Sequence, residues 1–317
     1  MEIIHTSVMK QEVLSYLAPD GPDGLLVDCT LGEGGHTEAF LERYAGLRAV
    51  GLDADRAIMD RARERLSRFG ARVRFENRWF DEYFRAYPQD LPRPDRILMD
   101  LGISSFHYES SGRGFSFQKD EPLDMRLSSG LETSAADIVN GSGESELADL
   151  IYEYGEERFS RRIARAVVER RKTGPIRTSA ELADLVRGAV PAQYRHGRIH
   201  PATKTFQALR IAVNGELDRL RSALSAAVGA LAPGGLIGVI TFHSLEDRIV
   251  KQFFRDKRKG CTCPPDAPIC NCGGKPVLEA VTKKPVVPSE EETRTNPPSR
   301  SAKLRVSRKL RDEGEQR

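Results

Sequence analysis

Short apolar runs alternate with amphipathic stretches along the first third of this chain, and that alternation restricts the fold more than any other feature. Leu25-Leu26-Val27 reads as a buried strand, and a glycine-rich turn follows it. Thr37 to Tyr44 has helical spacing, Ala49 to Leu52 is a second strand, and Ala57 to Phe69 is a helix with arginines and glutamate on its outer face. Val73 to Phe75 and Arg96 to Met99 supply a third and a fourth strand. Strands that are apolar throughout and separated by amphipathic helices belong to a parallel sheet covered on both faces. The expected class is α/β.

The alternation stops near residue 106. From Phe106 to Asn214 the pattern is mostly helical, as in Leu147 to Tyr154, Phe159 to Arg171 and Ala180 to Val190. A long helix is predicted over Lys204 to Leu231, closed by Ala232-Pro233-Gly234-Gly235, a stop signal before the apolar fifth strand Leu236 to Phe242. Residues 106–214 therefore read as a helical insertion, and residues 1–105 with 215–317 as the sheet domain. Residues 260–300, rich in Cys, Pro, Gly and Glu, read as a long loop, with a late strand at Ala302 to Val306.

Composition narrows the setting. With 49 Lys and Arg against 46 Asp and Glu, the formal net charge is +3, so a nucleic-acid surface would have to arise by local segregation of charge. No apolar run approaches the roughly 20 residues of a membrane-spanning helix, and Met1 to Val13 lacks the unbroken apolar region of a signal peptide. Five cysteines, four of them in one short loop, argue against a secreted disulfide framework. The expected compartment is the cytoplasm, with no membrane association.

Asp28-Cys29-Thr30-Leu31-Gly32-Glu33-Gly34-Gly35-His36 joins the first strand to the first helix. In an open parallel sheet, ligands bind beyond the carboxyl ends of the strands, and glycines let the backbone come close to them. Asp53 ends the second strand 21 residues after Gly32, where a carboxylate can accept from ribose hydroxyls. Loop and acid together suit an adenosine-bearing cofactor, of which two kinds compete. The dinucleotide fingerprint wants a third glycine where this chain has Thr37. Asp28 ahead of the loop favours S-adenosylmethionine, whose ammonium and sulfonium call for acid rather than a phosphate cradle; a nicotinamide enzyme is the alternative.

The fourth strand runs into Asp100-Leu101-Gly102-Ile103-Ser104-Ser105. Together with Gly32 to His36 this segment resembles the family of ribosomal RNA small subunit methyltransferase H, the cytidine N4-methyltransferases. The resemblance continues through Gly112 to Phe117, Pro122 to Arg126, Tyr154 to Phe159, His200 to Gln207 and Phe242 to Arg248. It implies a Rossmann-like S-adenosylmethionine-dependent methyltransferase fold with an inserted helical domain for substrate recognition. The implied substrate is a cytidine of 16S ribosomal RNA near the decoding site, in the rRNA or the assembling small subunit. Gly34, Gly35, His36, Asp53, Phe80 and Asp100 fall where that family contacts its cofactor. His107 does too, although the family usually has Pro-Gln where this chain has Phe106-His107. A non-catalytic assembly factor that senses the cofactor is the alternative from another functional class.

The exocyclic N4 of cytidine is a weak nucleophile, because its lone pair is delocalised into the ring. Asp100 is the candidate catalytic residue, accepting an N4 hydrogen; orienting the cofactor is its other reading. His243, ending the fifth strand, reads as a pocket residue or as a hydrogen-bonded turn residue. A target base must be splayed from its stack, a task for aromatic and basic side chains such as Arg113, Phe115, Phe117 and Arg126. Arg161 and Arg165, on one helix, are candidates for phosphate contact, a solvated helix face paired with nearby glutamates being the other reading, and the basic tail around Arg305 is a weaker candidate. Finally, Cys261, Cys263, Cys270 and Cys272 bring four thiols together, enough for a structural zinc, although a reduced loop fits as well.

Overall fold

The computed structural model describes residues 6–195, 197, 199–260, 263 and 274–313. The chain divides into two compact units, Met1–Ile103 with Asp218–Arg317, and Ser104–Leu217. The sequence pattern places the insertion at 106–214.

The first unit is built on a seven-stranded sheet. Its strands are β1 (Asp23–Asp28), β2 (Gly46–Asp53), β3 (Val73–Asn77), β4 (Arg96–Asp100), β5 (Leu236–Thr241), β6 (Leu278–Ala280) and β7 (Lys303–Lys309), in the order β3-β2-β1-β4-β5-β7-β6. The first five pair in parallel, and β7 lies antiparallel between β5 and β6. Period-two alternation sends Leu26 and Leu98 into one core with helices Gly35–Arg43 and Arg56–Leu66. Leu25, Val27, Ile97 and Met99 enter the other with helices Glu216–Ala230 and Ser244–Lys259. Chain order reverses at β1, whose neighbours β2 and β4 are reached in opposite directions, so a crevice is expected beyond the carboxyl ends of β1 and β4.

The structure corrects two stretches of the sequence reading. The long helix expected over Lys204 to Leu231 is two helices, Ala202–Asn214 and Glu216–Ala230. Between them Gly215 adopts φ 61, its amide bonded to the Ile211 carbonyl, a left-handed cap that ends the first helix. The loop expected over 260–300 contains β6 and a helix, Glu290–Thr295.

Lys309 shows how the late strand is locked. Its ammonium, 1 % exposed, donates to the carbonyls of Val228 (2.6 Å), Gly229 (3.1 Å) and Leu231 (2.8 Å) at the end of helix Glu216–Ala230, and pairs with Asp312 at 2.7 Å. Arg93 reaches two of the same carbonyls, those of Gly229 and Leu231. A cation at a helix C-terminus satisfies acceptors that the helix leaves open. Lys309→Met keeps the stem and removes the donors, so unfolding free energy is expected to fall by about 1–3 kcal/mol. Chemical denaturation with an unshifted midpoint would contradict this role.

The second unit is helical. Glu144–Gly155, Ser160–Arg171, Ser179–Ala189 and Ala202–Asn214 enclose Leu147, Ile151, Ile163, Val167, Leu182 and Leu209. Ser134 and Thr178 open helices with reciprocal capping to Asp137 and Glu181. Among the described residues, no helix is long and apolar enough to cross a membrane.

Candidate functional site

Three neighbouring parallel strands each end on an aspartate: β1 on Asp28, β2 on Asp53 and β4 on Asp100. Their roles separate by hydrogen bonding. Asp53 accepts the Gly32 amide on Oδ2 and the Asp55 amide on Oδ1, each at 2.9 Å, which fixes the carboxylate beside the glycine loop. Gly34, at φ 83, caps helix Gly35–Arg43, and a Cβ there would stand 2.9 Å from Leu66 Cδ1. At Gly35 a Cβ would stand 2.1 Å from Ser7 Oγ. At the third glycine of the motif, the N-terminal segment of the protein itself occupies the space beside the backbone.

Asp28 departs from the sequence reading. It is 1 % exposed, accepts the Thr37 hydroxyl at 2.7 Å and the Thr30 amide at 3.3 Å, and burial pushes its carboxyl above the usual carboxylate range despite the nearby His36. It is an internal strut, not an open acid for a ligand's cationic groups. Thr37, which stands where a dinucleotide fold has glycine, is the residue that holds it. Sequence reasoning noted Thr37 only as a missing glycine and passed over Thr30, whose hydroxyl oxygen accepts the Asp100 amide at 2.7 Å.

Asp100 and His36 complete the corner. His36 Nε2 lies 3.4 Å from Asp100 Oδ2, with the two side chains 6 % and 15 % exposed. Asp100 Oδ1 is buried and has no hydrogen-bond partner among the described residues. A buried acceptor left unpaired carries a desolvation cost that a polar or cationic ligand removes. Phe80, half-buried, is the first residue of helix Phe80–Arg85 just beyond β3 and packs on the core that holds Leu52 and Met99.

The donor set fits S-adenosylmethionine. Gly34, Gly35 and His36 open a helix beside the strand ends, Asp53 stands at the end of the next strand, and Asp100 keeps an unpartnered oxygen among the described residues. Anionic groups of this kind suit a sulfonium and an ammonium better than a pyrophosphate.

The remaining candidates are distributed as follows. His107 is buried in the second unit, its ring edge-on to Phe106 and Phe115. Phe115 is 5 % exposed, so the reading of this ring as a base-contacting group is corrected: it is core. Arg126 grips Asp124 with two hydrogen bonds, 2.9 and 2.7 Å, and Arg113 donates to the Arg126 carbonyl at 2.9 Å, so both brace the Pro122 to Leu131 segment. Arg161 and Arg165 are exposed and face Asp149 (2.9 Å) and Glu144 (3.6 Å). In the tail, Arg305 is paired with Asp247 at 2.7 Å. His243 precedes helix Ser244–Lys259, its Nε2 3.1 Å from Glu246, which also accepts the Phe242 amide at 2.8 Å, and both ring nitrogens are buried without a hydrogen-bond partner among the described residues. Cys261, Cys270 and Cys272, three of the four thiols of the zinc reading, lie outside the described residues; Cys263 is half-buried.

Known proteins resemble the chain over nearly its whole length. The model of the MraW methylase family matches residues 2–310. A ribosomal RNA small subunit methyltransferase H from Treponema denticola is 62% identical over 310 residues, covering 98% of each chain. One from Heliobacterium mobile is 47% identical over 313 residues, covering 98% of this chain and 100% of the relative. Among solved structures, an rRNA methylase from Streptococcus thermophilus aligns over 95% of this chain and 94% of that one, at 11% identity and a TM-score of 0.42.

Proposed function

The chain belongs to the MraW methylase family, and from that premise we propose that it transfers a methyl group to the exocyclic N4 of a cytidine in small-subunit ribosomal RNA. It is an S-adenosylmethionine-dependent methyltransferase, and its relatives carry the name of small-subunit ribosomal RNA enzymes. When bound, S-adenosylmethionine supplies an electrophilic methyl on its sulfonium. Gly34, Gly35 and His36 would hold it at the helix opening, Asp53 at the ribose and Phe80 against the adenine.

One observation carries the choice of an amino nitrogen: a strand-end carboxylate with one oxygen beside His36 and the other buried without a partner among the described residues. Asp100 accepts an N4–H hydrogen bond, which draws the nitrogen lone pair out of the ring and aims it. Its backbone is held by Thr30 independently of the side chain, so the carboxylate is presented from a fixed strand end. Methylation at C5 would call for a cysteine nucleophile. Cys29 is buried in the core beneath the loop, and burial pushes its thiol well above the ordinary range, which suits no such role.

The helical unit reads as the RNA-recognition part, with Arg161 and Arg165 as phosphate contacts, acting in the cytoplasm on rRNA or on assembling small subunits. Incubation of labelled S-adenosylmethionine with small subunits from cells lacking this protein tests the assignment. Label entering small-subunit rRNA at many turnovers per enzyme is expected. Cofactor binding without transfer to particles or to naked rRNA would leave only a cofactor-sensing assembly role.

A further inference from the structure

Within the helical unit, three cations, Arg158, Arg195 and Lys204, lie at or beside one turn that also carries Glu156 and Glu157, and none of the three forms an ion pair among the described residues. Helix Glu144–Gly155 ends at Glu156, which adopts φ 48, and helix Ser160–Arg171 begins four residues later. Glu157 is fully buried, accepting the Phe159 amide at 2.8 Å and the Tyr194 hydroxyl at 2.9 Å. That pair sets Tyr194 edge-on to Phe159, with ring centroids 5.0 Å apart. The guanidinium of Arg158 lies over both rings, 4.7 Å from one centroid and 5.1 Å from the other. Lys204 returns to the same turn, donating to the Glu156 carbonyl at 2.8 Å. A Cβ on Gly155 would stand 2.5 Å from the Lys204 carbonyl oxygen, so this approach depends on glycine.

The charges here differ in kind from those of the neighbouring arginine helix. Arg161 and Arg165 each face a carboxylate. Arg158 is exposed and has no hydrogen bond or ion pair among the described residues, while Lys204 and Arg195 donate to backbone carbonyls and so keep their full charge. Flat groups accompany them. Exposed His200 stacks on Phe117 at 4.6 Å, and partial desolvation with nearby Arg187, opposed by Asp184, lowers its pKa from the usual imidazole value. Uncancelled cations beside planar groups match a phosphate backbone whose bases are unstacked.

We propose that Arg158, Tyr194, Arg195, His200 and Lys204 form a docking surface for a single-stranded segment of the RNA substrate, with Arg158 as its centre. This inference rests on the assignment of RNA as substrate. It is tested in the full-length protein with a short fluorescein-labelled single-stranded RNA and with small-subunit particles. Arg158→Ala with Lys204→Ala is expected to weaken oligonucleotide binding by about tenfold or more and to reduce the salt slope by about 1.4, the loss of two contacts to a single strand. Arg158→Lys should restore the slope and only part of the affinity, because ammonium does not stack as guanidinium does. Arg161→Ala with Arg165→Ala should change affinity less than the first pair. Cofactor affinity measured by calorimetry should be unchanged throughout, which also shows that the variants are folded. If the wild type binds the oligonucleotide and the Arg158/Lys204 variant binds equally well, the surface is overturned while the enzyme's assignment stands. Normal oligonucleotide binding with lost methylation of particles would make the patch a contact for a ribosomal protein, and would also overturn it. A wild type that neither binds nor methylates RNA would defeat the functional assignment itself.

Discussion

Asp100→Asn is expected to slow methyl transfer on the saturated complex by roughly 10²-fold or more, the scale of losing a positioned acceptor of a proton-bearing bond, a larger effect than its weakening of S-adenosylmethionine binding. Asparagine has the shape of aspartate but presents a neutral amide with donor and acceptor ends. The Thr30 hydroxyl holds the backbone amide of residue 100, so the strand end stays in place. What changes is the oxygen beside His36 and the buried oxygen without a partner among the described residues. An interaction strengthened in the transition state appears in the chemical step, so single-turnover rates at saturating RNA and cofactor are the measurement. The opposite pattern, weakened cofactor binding with a recovered saturating rate, would make Asp100 a cofactor-orienting acid. A second readout follows from the buried corner. Burial, with a smaller contribution from the Asp100 charge, holds the Asp28 carboxyl above its usual range, so the substitution should bring Asp28 downward in a carbon-detected titration.

Asp53→Ala should raise the dissociation constant for S-adenosylmethionine by about 10- to 100-fold, the loss of charge-assisted hydrogen bonds. The substitution acts twice. It removes the acid proposed to meet the ribose, and it releases the Gly32 and Asp55 amides that set the glycine loop. Asp53→Asn, which keeps an acceptor for one of these amides, should fall between wild type and alanine. Calorimetry with S-adenosylhomocysteine separates these values from turnover. Unchanged affinity in a folded alanine variant would remove Asp53 from the cofactor site.

Much of the first unit was legible because its signals are local. Apolar strands, helical spacing and the Gly32-to-Asp53 interval are written in single stretches of chain, and they located the parallel sheet and the edge at which Asp28, Asp53 and Asp100 end their strands. What escaped depends on groups far apart in sequence. Gly215 lies inside the stretch Lys204 to Leu231 whose pattern is helical throughout, yet its left-handed backbone divides the helix. Strand β6 has only three residues, Leu278–Ala280, and exists because β7 pairs with it. Phe115 carried no mark that separates a stacking ring from a core ring, and packing against His107 decided the matter. Asp28 read as an open acid because its partner, Thr37, lies in the helix that follows the glycine loop. Ser7 against Gly35 was equally invisible, since a glycine motif does not say whether ligand or protein fills the space it leaves.

The position of the added methyl tests the central claim most directly. Small-subunit rRNA from cells with and without this protein, digested to nucleosides and resolved by mass spectrometry with fragmentation, should differ in a methylcytidine whose methyl remains with the base and sits on the exocyclic nitrogen. That nucleoside should also disappear in cells carrying only Asp100→Asn. A methyl on C5 of cytosine, or rRNA that is unchanged when the protein is absent, would contradict an Asp100-centred attack by N4.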